Sequence, residues 1–248
     1  MEGCAKGEYL EGNLEDLDLA IKGLIFDKDG TLFQYGDTWA VWCDLVLAEL
    51  SRGEGAKLRE LAQAVGYDPE TKEFLAGSMV VGASAGEINQ AWADLLPDWS
   101  FADVDAVAVK HLESLPSLPV CDLKALFSGM KAKGMKLGIV TNDYEAGAVQ
   151  QLADEGVSEL FDFVAGFDSG HGAKPDAGPL LAFGKAVGLA MDEIAMVGDS
   201  THDLGAGRAA KVAQTIGVLT GPALEADIAH LADMILADIS EIPAKLWG

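Results

Sequence analysis

Four short apolar runs along the chain each finish in polar residues: "GLIFD" at 23 to 27, "LGIVTND" at 137 to 143, "FVAGFDS" at 163 to 169 and "IAMVGDS" at 194 to 200. Runs of this length without polar alternation predict strands covered on both faces, as in a parallel sheet. Between the later runs, 144 to 155 and 176 to 189 have the length of crossover helices. The alternation predicts an α/β fold. In such open sheets a ligand binds beyond the carboxyl ends of the strands, where aspartates fall in these polar tails.

One interval breaks the rhythm. Between Thr31 and Thr141 lie 109 residues, far more than a crossover needs, so an inserted domain over about 35 to 115 is expected. "TWAVWCDLVLAELS" and "AGEINQAWADLL" carry helical apolar spacing within it, and few segments there read as strands. The expectation is a small helical cap packed by Trp39, Trp42, Trp92 and Trp99. Pro116 to Pro119 reads as a return linker, and "CDLKALFSGMKAKGM" at 121 to 135 as a core helix stopped by Gly134. This leaves a core of 21–34 and 116–248, and an acidic extension at 1–20.

Composition narrows the partners. Forty acidic residues against 17 basic ones give a formal charge of −23, which repels nucleic acid and anionic membrane surfaces at long range. Half the 248 residues are apolar, enough for a sizeable core. The three cysteines, Cys4, Cys43 and Cys121, are odd in number and form no CxxC pair, which suggests neither a disulfide framework nor a zinc knuckle. No stretch free of charged residues exceeds 13 residues, and the N-terminus lacks the apolar segment of a signal peptide. The expectation is a soluble, cytoplasmic protein.

The first run ends in the chemistry. Asp27 and Asp29 repel each other when both are ionised, unless a cation neutralises them. Magnesium, a hard ion that accepts one or two carboxylates alongside waters and phosphate, suits the pair, and Asp199 at another strand end adds a third carboxylate. Asp27 is positioned to attack phosphorus and form an aspartyl phosphate. Asp29 can protonate the leaving oxygen and then deprotonate the attacking water. Gly30 permits a tight turn whose N–H groups, at 28 to 30, can meet phosphate oxygens. Thr141, Asn142 and Lys174 supply further donors for the transferred group, and Pro175 is expected to start the helix after Lys174.

Four motifs in order resemble those of the haloacid dehalogenase superfamily, in its phosphoglycolate-phosphatase-like branch: "DKDGT" at 27 to 31, "TN" at 141 to 142, "KP" at 174 to 175 and "GDSTHD" at 198 to 203. The stretch 203 to 221 also resembles the branch's usual continuation. The resemblance implies a Rossmann-like parallel sheet core with an inserted, mainly helical cap. It implies a magnesium-dependent phosphatase for a small-molecule phosphate ester, with Asp27 as nucleophile, Asp29 as acid/base, and Thr141 and Lys174 on the phosphate. Asp27, the Asp29 carbonyl and Asp199 would surround the metal, with Asp203 supporting that shell. "GHGAK" at 170 to 174 departs from the usual third motif.

A phosphomutase would share the four motifs, but needs an extra acid/base group that nothing in 35 to 115 announces. A dehalogenase has no need of Asp29. Lys28 is similar to the DKTGT loop of ion-pumping ATPases, which the lack of spans excludes. A catalytically silent binding module on the same fold has no use for the nucleophile. The cap carries five basic residues (Arg52, Lys57, Arg59, Lys72, Lys110) against 14 acidic ones, which disfavours a carboxylate-bearing substrate such as phosphoglycolate. His111, His171, His202 and His230 lack metal-ligand spacing; His171 and His202 are expected at the pocket's edge.

Overall fold

The computed structural model describes residues 21–75, 77–112 and 117–247; the expected N-terminal extension, Cys4 and part of the return linker lie outside them. The strands are β1 (Gly23–Phe26), β2 (Tyr67–Asp68), β3 (Glu73–Phe74), β4 (Lys136–Val140), β5 (Phe163–Ala165), β6 (Ile194–Gly198), β7 (Gln214–Val218) and β8 (Met234–Leu236). Six of them form a wholly parallel sheet in the order β5-β4-β1-β6-β7-β8. The first strand is therefore central, with Gly23 opposite both Lys136 and Ile194.

Burial on both faces follows from the apolar runs. Leu24 and Phe26 join one cluster with Phe127, Leu137, Ile139 and Val197, while Ile25 joins another with Val140, Phe183 and Met196. Consecutive residues of a strand point to opposite faces, so a run of four apolar residues feeds both layers. Helices Leu123–Ala132 and Glu145–Asp154 lie near their expected places; the first stops before Gly134, whose φ of +82° suits glycine at a helix end. Pro175 does not start the next helix: that helix runs Gly178–Val187 with Pro179 in its first turn, and Pro175 instead follows a cis peptide in the loop.

The long insert builds a separate core. Helices Gly36–Leu50, Gly55–Ala64, Ala85–Ala93 and Phe101–Leu112 surround buried Trp42, Val46, Leu61, Trp92 and Val104, with β2 and β3 as a short antiparallel hairpin. Trp39 meets Trp42 edge-on at 5.2 Å, and Trp42 meets Trp92 at 5.6 Å. Trp99 packs on the same cluster from a partly exposed position. The insert leaves and returns through paired segments: Gln34 N–H donates to the Leu118 carbonyl (2.8 Å) and Val120 N–H to the Leu32 carbonyl (2.9 Å). Among the described residues, no helix is long and apolar enough to cross a membrane.

Candidate active site

The carboxyl ends of β1 and β6 converge because β1 lies beside β6 in parallel register. Asp27 immediately follows β1, and Asp199 immediately follows β6. Asp203 comes from the first turn of helix Thr201–Ala210, where its Oδ2 accepts from Ser200 N–H (3.0 Å) and Ser200 Oγ (2.6 Å), a reciprocal cap that fixes the side chain. Oxygens of Asp27, Asp199 and Asp203 lie within 4.8 Å of one another, and all three residues are buried.

Lys174 enters this group from the loop before Pro175. Its Nζ donates to Asp27 Oδ1 and, at 2.6 Å, to Asp203 Oδ1. Burial lowers the pKa of Lys174, but the charges of Asp203 and Asp27 overcome that and hold it raised. Asp27 is pushed up to about 7, first by burial and then by the charge of Asp203, against the pull of Lys174. Asp199 is raised for the same first two kinds of reason, burial and the charges of Asp203 and Asp27. Three buried carboxylates thus lie together with one ammonium, which binds two of them, Asp27 and Asp203. That under-neutralised set of hard oxygen donors fits a small divalent cation.

Two glycines let the chain close around Asp199. Gly30 has φ of +88°, and a Cβ there would lie 2.6 Å from the Asp199 carboxylate; a Cβ on Gly221 would lie 1.7 Å from Asp199 Oδ2. Thr31 Oγ1 donates to Asp199 Oδ1 at 3.3 Å, and Thr220 Oγ1 donates to the Gly30 carbonyl. The Gly30 N–H is already taken by the Phe33 carbonyl at 2.7 Å, so this residue shapes the turn and does not present its amide to a phosphate.

Asp29 stands apart from the three-carboxylate group. Its Oδ2 lies 2.7 Å from Lys28 Nζ, a side chain with no exposure at all. Lys28 also reaches Gln151 Oε1 (2.6 Å) and lies 3.1 Å from Asp143 Oδ2, a charge contact without hydrogen-bond alignment. Burial opposes the charge on Lys28, yet Asp29 and Asp143 hold its pKa raised. Burial raises Asp29, Lys28 lowers it and Asp143 raises it, with a net upward shift. Sequence reasoning assigned no role to Lys28, Asp143 or Gln151. A lysine between the two motif aspartates, where a buried strand end is expected, was the available signal.

Thr141 is buried directly after β4, and its Oγ1 accepts from Asp143 N–H at 3.1 Å. Asn142, expected as a phosphate donor, has its amide hydrogens engaged: Nδ2 donates to the carbonyls of Gly82 and Lys174, both at 2.9 Å. Its Oδ1 accepts from Lys174 N–H (2.9 Å) and its carbonyl from Ala85 N–H (3.0 Å). Asn142 therefore ties the insert to the lysine loop. Over the carboxylates lies a cleft, partly open to solvent, lined by Asp27, Asp29, Thr141 and Lys174 and by side chains of the insert. His202 lines it, whereas His171 does not and sits 6.0 Å from the ring of Phe163.

Comparison with known proteins agrees with this arrangement. The family described as haloacid dehalogenase-like hydrolase matches residues 21–211. The chain is 31% identical to the phosphoglycolate phosphatase of Neisseria meningitidis over 232 residues, covering 91% of this chain and 94% of that one. It is 30% identical to the phosphoglycolate phosphatase of Thiobacillus denitrificans over 203 residues, 79% of this chain and 83% of that relative. The crystal structure of a predicted phosphoglycolate phosphatase from Haemophilus somnus superposes with a TM-score of 0.72 at 20% identity, covering 91% of this chain and 98% of that one.

Proposed function

Because the chain belongs to the haloacid dehalogenase-like hydrolases and is a phosphoric monoester hydrolase, we propose that it cleaves a small-molecule phosphomonoester through a phosphoryl group carried on Asp27, with magnesium as its cofactor. The observation that carries this reading is the cluster of Asp27, Asp199 and Asp203, with the Lys174 ammonium bound between Asp27 and Asp203.

In this reading an oxygen of Asp27 bonds to phosphorus as the ester P–O bond breaks. Asp29 donates a proton to the departing alcohol oxygen, then takes one from the water that attacks the phosphoryl-aspartate and releases inorganic phosphate. Lys174 and Thr141 offset the charge on the transferred oxygens. Asn142 holds the lysine loop in register and makes no phosphate contact through its amide. Magnesium, when held by Asp27, Asp199 and the Asp29 carbonyl with Asp203 behind them, supplies charge that neutralises the phosphate and the crowded carboxylates. Lys28 keeps a cation against Asp29 throughout.

The phosphoglycolate phosphatase relatives support a small ester as the substrate class. The test is hydrolysis of p-nitrophenyl phosphate by the natural protein and Asp27→Asn, each with magnesium and with a chelator. Activity that needs magnesium and is lost in the variant is expected. An inert natural protein, or a variant as active as it, would overturn the reading.

A further inference from the structure

We infer that the cleft selects phosphomonoesters whose leaving group is apolar and carries no negative charge; this rests on the phosphatase reading above. The wall opposite the carboxylates is built by Tyr35, Trp39, Trp42, Ile88, Val109 and Leu112. Among the described residues, no lysine or arginine of the insert lines it. The insert's basic side chains are held elsewhere. Arg52 stacks over Trp99 at 5.4 Å, Lys57 pairs with Glu60, Lys72 with Asp44 and Lys110 with Glu49, and Arg59 is exposed.

Most side-chain polar atoms of that wall and the corner beside it are engaged within the protein. Tyr35 Oη donates to the Val80 carbonyl (2.8 Å) and Trp42 Nε1 to the Ala108 carbonyl (3.0 Å). Asn89 Nδ2 donates to Asp105 Oδ1 (2.9 Å), while Asn89 Oδ1 is buried without a partner. The Tyr144 hydroxyl also donates to Asp105. What this corner leaves uncommitted is an acceptor beside a carboxylate. Among the described residues, Lys174 is the one lysine or arginine on the lining and is already bound between Asp27 and Asp203, while the His202 ring lies against Gly82 of the insert, close enough for its charge to act on Glu87.

A carboxylate on the leaving group would therefore lose its water against aromatic and aliphatic surface and near four acidic residues of the site, with no lysine or arginine of the described insert to replace that water. An aromatic or aliphatic leaving group instead gains contact with the Tyr35, Trp39 and Trp42 rings. The cleft is unsuited to the acid that gives phosphoglycolate its charge.

The test compares kcat/KM in the presence of magnesium for phenyl phosphate, 4-(hydroxymethyl)phenyl phosphate, 4-carboxyphenyl phosphate and phosphoglycolate. The two uncharged aryl leaving groups are expected to exceed both carboxylates by about tenfold or more, the factor that 1.4 kcal/mol represents. Val109→Lys, which adds an ammonium to the partly exposed cleft wall, is expected to narrow the gap between 4-carboxyphenyl and phenyl phosphate about tenfold. Val109→Met, which changes size but not charge, should keep the gap. Carboxylated esters turned over as well as phenyl phosphate, or a gap that Val109→Lys does not narrow, would overturn this inference while leaving the phosphatase reading intact. Hydrolysis of none of the four would overturn that reading, and this one with it.

Discussion

Lys28 Nζ lies 2.7 Å from Asp29 Oδ2, so the first aspartate-rich turn carries its own buried counter-charge, inserted between the proposed nucleophile and the proposed acid/base. Removing one partner of a buried charge group leaves the others uncompensated. Lys28→Met is expected to destabilise the fold by about 3–5 kcal/mol, because buried Asp143 and partly buried Asp29 would both be left beside an apolar chain. Adding Asp143→Asn should recover part of that loss, and chemical denaturation of the single and double variants measures the coupling. Strictly additive effects would show that the 3.1 Å contact between Lys28 and Asp143 contributes nothing.

Asp29→Asn keeps the shape of the turn and removes the proton carrier. A drop in kcat of about 10²- to 10⁴-fold is expected, the range usual for a positioned acid/base group. The p-nitrophenolate leaving group needs no proton, so release of the first equivalent should stay fast and be followed by slow turnover. Stopped-flow measurement of p-nitrophenol decides this; a first equivalent as slow as later turnover would assign Asp29 no selective part in the second step.

The metal-free protein should lose stability as pH rises. Asp27 titrates at about 7 in the fold against an ordinary 3.8, so the native state holds a proton that the unfolded chain has lost between those values. Its contribution is fully present below 3.8 and is lost as pH rises through about 7, and Asp199, also raised, acts in the same direction. Magnesium removes the cause of that loss. Its effect on Tm should therefore be larger at pH 7.5 than at pH 5, which a thermal scan with chelator or magnesium at both values would test.

Gly221→Ala would put a Cβ 1.7 Å from Asp199 Oδ2, a position that one of the two must vacate. Magnesium-dependent activity is expected to fall at least about tenfold, since misplacing a reacting group by an ångström can cost about a hundredfold. A higher magnesium requirement should accompany the loss. Titration of activity against magnesium distinguishes a displaced Asp199 from a general loss of folding, which would lower the maximum without moving the midpoint.

Asn142→Ala removes three side-chain hydrogen bonds, those donated to the Gly82 and Lys174 carbonyls and the one accepted from Lys174 N–H. At about 1 kcal/mol each, the expected cost is about 3 kcal/mol of stability, together with a fall in kcat from the loosened lysine loop. If kcat is unchanged while stability drops, Asn142 serves only to attach the insert.

Much of the core was legible from sequence because its strands are buried on both faces. A run such as Leu24 to Phe26 has no polar residue to confuse with a helix stripe, and it ends abruptly in aspartates. β7 and β8 escaped the same reasoning. "QTIGV" alternates too weakly to declare itself, and β8 has three residues, Met234 to Leu236, two of them only partly buried. Asp27, Asp199, Asp203 and Lys174 were legible because charge at a strand end or in a glycine-rich loop stands out. Lys28 was not, since a lysine is ordinarily a surface residue and only the fold shows that this one is sealed, among Asp29, Asp143 and Gln151. The partners of the Asn142 side chain were illegible for a related reason: nothing in a sequence tells which group an amide will meet first, and here it meets Gly82 of the insert and the Lys174 loop.

The central position of β1 also governs when the site can come into being. The strand is made before its two neighbours, β4 and β6, which lie more than a hundred residues downstream, and Thr31 meets Asp199 across 168 residues. Contacts of that separation close late and slowly. As the chain emerges during synthesis, the insert can gather its own apolar core while Asp27 still waits at the end of an unpaired strand. The proposed nucleophile thus acquires its companions only after Lys174, Asp199 and Asp203 have been made, so a chain ended before them carries the first motif without a site to serve.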